Sequence, residues 1–107
     1  MDRIIILRQF IKDNPQDMFS RHALALEYVK KADDAEAEML FKEILEMNPA
    51  YVGTYYHLGK LLERAEMLGE ALVFYENGMQ EAEKQQDTHA LRELKAAYNQ
   101  LKDEMEM

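Results

Sequence analysis

YYHLGKLLERAEMLGEALVFY, residues 55–75, repeats the pattern of RHALALEYVKKADDAEAEMLF, residues 21–41. Leu58 follows Leu24, Gly59 follows Ala25, Ala71 follows Ala37 and Tyr75 follows Phe41, all at one fixed interval. The same interval separates Asn14-Pro15 from Asn48-Pro49, which hold the only two prolines of the chain. It also runs through Leu7, Phe41 and Tyr75, and through Ile11, Leu45 and Met79. So many matches at one period mark a repeat architecture. Each unit of such a fold is a supersecondary element that must stack on a neighbour to bury its apolar face.

Inside each unit the apolar spacing is helical. Leu40, Phe41, Ile44, Leu45 and Met47 recur at a period near 3.6 and not in strict alternation. Six helices are predicted, at about 2–13, 16–31, 33–47, 50–65, 67–86 and 88–105. Pro15 and Pro49 fall where one helix must stop, and a proline fits the first turn of the next. Asp33-Asp34 offers N-cap oxygens for the third helix. Met39, Met47 and Met79 lie on the apolar stripes and are predicted in the core, and the fifth helix is predicted to run on through Glu81-Ala82-Glu83-Lys84. Short breaks between helices imply antiparallel pairs in a row.

The pattern resembles that of the tetratricopeptide repeat proteins, a 34-residue helix–turn–helix with W-x2-L-G-x2-Y, then A-x3-F, then P. The second unit carries Tyr55, Leu58, Gly59, Leu62, Ala71 and Tyr75 at these positions; the first carries Arg21, Leu24, Ala25, Tyr28, Ala37, Phe41 and Pro49. Arg21 departs from the aromatic start, and Glu83 replaces the closing proline of the second unit. The resemblance implies an all-α, right-handed solenoid of antiparallel helix pairs forming a single domain. Its parts would be an N-terminal half-repeat helix in 1–15, one unit in 16–49, a second in 50–86, and a capping helix with a tail in 87–107. Gly59, Ala25, Ala37 and Ala71 would sit where paired helices cross. Tyr28, Phe41, Tyr55 and Tyr75 would fill the space between stacked pairs. In the closing helix Leu91, Leu94 and Tyr98 resemble Tyr55, Leu58 and Leu62 at a slightly longer interval, which puts Lys95 where a small residue is expected.

Composition narrows the function. The 107 residues suit one domain, and 21 acids against 13 bases give a net charge of −8, which disfavours a generic nucleic-acid surface. Cys 0 removes disulfides, thiolate metal sites and cysteine nucleophiles. The longest apolar run, Ala71 to Tyr75, is far short of the roughly 20 residues that span a membrane. Ile4-Ile5-Ile6-Leu7 is too short for the ~7–15-residue apolar region of a signal peptide, so a cytoplasmic protein is expected. No phosphate loop, nucleophile elbow or HExxH motif occurs. No catalytic residue, cofactor or metal is expected, and the chain reads as a non-enzyme.

The resemblance implies instead a protein–protein interaction module or scaffold holding a peptide or partner protein in a concave groove. The groove-facing residues that it implies are Phe19, His22, Leu26 and Lys30, then Tyr56, His57, Lys60 and Arg64, then His89 and Arg92. With Glu63 and Glu93 included, these carry a charge of +2, leaving −10 elsewhere. That balance favours an acidic ligand with an apolar anchor, and the three histidines would add charge below about pH 6.5. The same histidines could hold a metal as a remote alternative, but helices ~8–10 Å apart keep His22 and His89 from sharing one ion. The family's best-known ligand mode clamps a chaperone's terminal carboxylate with lysines, asparagines and an arginine. The matching positions here are His22, Leu26, His57, His89 and Glu93, so chaperone binding is not expected.

The first helix suggests a further contact. At 100° per residue, Ile4, Ile6, Leu7, Phe10 and Ile11 share one broad face, with Ile5 between Arg8, Gln9 and Lys12. Arg3 stands where Ala37 and Ala71 stand. Because the sequence begins at Met1, the helix lacks the partner that precedes it in a full unit. The alternative function is therefore a self-associating subunit, a weak homodimer through Ile4, Ile5, Ile6 and Phe10.

Overall fold

The computed structural model describes residues 2–107. They form six α-helices: α1 (Arg3–Asp13), α2 (Met18–Lys30), α3 (Asp34–Met47), α4 (Gly53–Arg64), α5 (Leu68–Gln85) and α6 (Thr88–Met105). The chain is an all-α helical-repeat protein, with no strand among the described residues. It divides into two compact units, one ending at Asn48 and the other beginning at Pro49. In the first, α2 packs on both α1 and α3; in the second, α5 packs on both α4 and α6, and α6 also touches α4.

The helix ends follow local chemistry. The Asp33 carboxylate accepts from the Glu36 N–H at 3.3 Å, as the cap reading expects, and Asp87 accepts from the Ala90 N–H at 3.0 Å. The prolines stop the preceding helices as expected but do not enter the first turn of the next. α2 begins at Met18 and α4 at Gly53, so Pro15 and Pro49 lie outside both helices. Each proline holds its preceding asparagine out of the helical region (Asn14 ψ 67°, Asn48 ψ 85°) and so closes α1 and α3. Their carbonyls then serve as anchors. Tyr55 donates its hydroxyl to the Pro49 oxygen at 2.5 Å. Arg21, the counterpart of Tyr55 one repeat earlier, donates Nη2 to the Pro15 oxygen at 2.9 Å. Arginine thus takes over the hydrogen bond of the aromatic position that it replaces.

Three helices end in the left-handed region. Ala32, Glu66 and Gln86 have φ of 61°, 62° and 56°. The next residue's N–H returns to a carbonyl five residues back in each case: Asp33 to Tyr28, Met67 to Leu62 and Asp87 to Ala82, all at 2.9 Å. Ala32 and Glu66 are themselves counterparts at the repeat interval, so the turn is part of the repeat.

The small residues of the repeat are buried, and two glycines mark a close helix crossing. Ala25, Ala37 and Ala71 are fully buried. A Cβ on Gly59 of α4 would overlap the Tyr75 ring of α5. Gly78, which the periodicity did not single out, lies so close to α4 that its Cβ would fall 2.6 Å from Tyr55 Cβ. Three of the aromatic residues fill space within a pair. Tyr75 covers Gly59, Tyr55 meets Gly78, and Phe41 of α3 lies 5.5 Å from the His22 ring of α2. Tyr28 reaches outside its pair, accepting from Arg8 of α1.

Two methionines correct the core reading. Met39 is 54% exposed and Met47 41% exposed. Met39 lies one residue off the stripe through Leu40 and Ile44, and Met47 ends its helix. The closing helix buries Leu94, Ala97 and Leu101 and leaves Lys95 exposed. α5 does run through Lys84.

Two outcomes are expected from glycine exchanges. Gly59→Ala and Gly78→Ala overpack buried crossings and should cost about 1–3 kcal/mol each in denaturant unfolding. Gly69→Ala, with nothing within 4 Å of its Cβ, should instead stabilise by roughly 0.5–1 kcal/mol. Ala32→Gly and Glu66→Gly relieve left-handed backbone and should each stabilise by about 1 kcal/mol in the same measurement. A loss at Ala32→Gly would mean that the positive φ costs nothing there.

Candidate functional site

Successive turns of α2 and the start of α1 enclose a shallow hollow of about 220 Å³. Phe19, His22, Ala23, Leu26 and Lys30 line it from α2 at a spacing of three and four residues, the spacing that keeps side chains on one helical face. Phe19, His22, Leu26 and Lys30 are the residues that the resemblance implies for the groove of the first unit; Ala23, Arg3 and Glu27 line the hollow with them. Phe19 is 71% exposed, an unusual state for phenylalanine, and Leu26 is half-buried below it.

The electrostatics turn on Glu27. Its carboxylate is nearly buried and accepts from Arg3 Nε at 2.7 Å, with Lys30 Nζ at 3.7 Å. Arg3 and Lys30 are themselves mostly exposed. Two cations face one anion, so the hollow keeps a charge of +1 on a chain of −8. Sequence reasoning missed Glu27 because it falls between the groove stripe and the core stripe of α2. Arg3 was noticed for its size, as an intruder at an alanine position, whereas its role is the ion pair.

In the second unit Tyr56, His57 and Lys60 of α4 form one cluster. The Tyr56 and His57 rings meet edge to face at 5.7 Å, and Lys60 Nζ lies 5.7 Å from the centre of the Tyr56 ring. Lys60 also approaches Glu63 at 3.8 Å. The Glu63 carboxylate in turn accepts the buried Tyr75 hydroxyl, and burial together with that carboxylate drives the Tyr75 pKa far up. Arg64 is exposed in the last turn of α4, and His89 and Arg92 are exposed on α6. With Glu93, this face also has three bases against two acids.

His57 departs from an ordinary histidine. Partial desolvation of its ring lowers its pKa, and the Glu93 charge on α6 pulls it partly back. The ring therefore stays neutral to a lower pH than the 6.5 expected from sequence. Among the described residues no three His, Asp or Glu side chains come together as metal ligands. No helix among the described residues is long and apolar enough to cross a membrane.

No family model and no curated protein sequence matches the chain. Solved structures do. The tetratricopeptide repeat domain protein of Salinibacter ruber is 40% identical in its crystal structure, with a TM-score of 0.79, over 81% of this chain and 97% of that one. The chain belongs to the tetratricopeptide repeat family. The solution structure of the Salinibacter ruber domain gives the same 40% identity and TM-score of 0.79 over 83% of this chain and 90% of that one. The TPR2B domain of yeast Sti1, solved in a complex with pHsp70, is 17% identical but superposes with a TM-score of 0.86 over 94% of this chain and 81% of that one. At that identity it speaks for the tetratricopeptide fold alone.

The balance at His57 can be read directly by NMR titration. Its midpoint should fall below 6.5, and Glu93→Gln should lower it further by removing the stabilising charge. Linkage follows the same sign. A lowered folded-state pKa leaves full stability above about pH 6.5 and loses some as the pH falls below it. A midpoint that rises in Glu93→Gln would separate the two side chains.

Proposed function

We propose that the chain is a protein-interaction module that recognises a peptide or partner-protein segment without chemistry of its own. The segment carries an apolar side chain flanked by acidic residues, and the binding faces are those of α2 and α4. The observation that carries this reading is Phe19, held 71% exposed over Ala23 and Leu26 and beside Arg3 and Lys30. An exposed aromatic next to small apolar residues is the usual form of an anchor site. The surplus cations explain the acidic flanks, because the rest of the surface repels them. Tyr56 with Lys60 offers a second anchor of the same kind on α4.

The TPR2B domain of yeast Sti1, found with pHsp70, is an example of the fold at work on a protein ligand. The ligand expected here differs, because His22, Leu26, His57, His89 and Glu93 stand where a carboxylate clamp needs lysines, asparagines and arginine.

The test is capture from native extract, with affinity measured on the recovered partner. Phe19→Ala and Lys30→Glu should each weaken binding at least tenfold, and a Tyr56→Ala/Lys60→Glu double variant should do the same if α4 is engaged. Affinity should fall with salt as the Debye length shrinks from ~10 Å at 0.1 M to ~3 Å at 1 M. Unchanged affinity in all three variants places the interface on another surface.

A further inference from the structure

α1 buries nothing fully. Ile4, Leu7 and Ile11 are half-buried on the side of α2, while Ile5, Ile6 and Phe10 are 62%, 47% and 46% exposed. This corrects the single broad face expected from sequence: Ile6 and Phe10 join Ile5, and Ile4 does not. The exposed side frames a hollow of about 420 Å³ between Ile5, Ile6, Gln9, Phe10 and Asp13.

The repeat says what kind of face this is. Phe10 stands one repeat before Ile44 and two repeats before Gly78. Gly78 is the residue of α5 that lies against Tyr55 of α4. Gln9 stands one repeat before Glu43, whose carboxylate pairs with Arg21 of α2. Asp13 stands two repeats before Glu81, close enough to Tyr55 for its charge to be felt there. Ile5 corresponds to Met39 and Val73, both 54% exposed, and so forms the rim. The open side of α1 is therefore the side that α3 and α5 turn toward the first helix of their own pairs.

We propose that this side of α1 docks an amphipathic helix of another protein, antiparallel to α1, and so completes a helix pair. The incoming helix carries a small residue over Leu7, as Gly59 lies under Tyr75. It carries an arginine or lysine over Gln9 and Asp13, as Arg21 lies over Glu43. Gln9 holds the Asp13 carboxylate at 3.3 Å on the exposed surface, ready for that cation. A second copy fits poorly. α1 has neither glycine nor alanine, so two α1 helices lack the small residue that a close crossing uses. α6 presents Lys95 at the crossing position, which would set a cation against Leu7. Two copies would also each bring a net charge of −8.

The test is an extended chain in which a copy of residues 16–34 precedes Met1, the spacing that sets the added Arg21 over Gln9 and Asp13 and the added Ala25 over Leu7. Exchange of the Ile5, Ile6 and Phe10 amides should slow at least tenfold, the melting midpoint should rise, and reversing the added arginine to glutamate should remove most of both gains. Unchanged exchange overturns the proposal, as does equal protection by the glutamate variant. Sedimentation of the unextended chain supplies the other arm. A monomer at micromolar concentration agrees with the proposal, whereas a dimer that Phe10→Asp dissociates makes a second copy the occupant and overturns it.

Discussion

Close approach of two helices at a residue without bulk is the constraint on which the rest depends. Gly59 admits the Tyr75 ring, and Gly78 admits the backbone-proximal part of Tyr55. With those contacts made, α4 and α5 lie near enough for their larger neighbours to be removed from water. Ala25, the counterpart of Gly59, is fully buried, as are Ala37 and Ala71, which are counterparts of each other. A methyl group at such a point acts on the whole pair, because a close-packed interior has no room to absorb it locally.

The fold was legible because the signals that define it are local and periodic. Six helices were readable from apolar spacing and two prolines, and the interval between those prolines named the family later shown by the Salinibacter ruber protein. The errors have physical causes. Each proline ends the helix before it, as its spacing predicts, but does not enter the first turn of the next, and its carbonyl becomes an acceptor. Met39 was placed in the core by a periodicity one residue too generous. Gly78 escaped notice because a lone glycine in a helix looks like a weakness until its neighbour across the pair is known.

The candidate site was legible only in part. Its apolar members fell on one stripe of α2, and a 3.6-residue period finds a stripe. Glu27 lies off that stripe. Of its two partners, Lys30 reaches it from the next turn of the same helix, but Arg3 reaches it from the start of α1. Pairing between helices so far apart in sequence has no periodic signature. The same holds for His57 and Glu93, which meet only because α6 returns to α4. Charge on each face could be counted from the sequence, while its distribution required the fold.

Glu27 has a second consequence. Through Arg3 it ties α1 to α2, and through the same guanidinium it sets the charge at the mouth of the hollow below Phe19. An acidic segment of the kind proposed would compete there with Glu27 for Arg3. Its occupancy of the hollow and the seating of α1 would then be thermodynamically linked, and by reciprocity a partner that clamped α1 in place would change the affinity of the hollow by the same factor. One buried carboxylate would make two surfaces of this small protein parts of a single equilibrium.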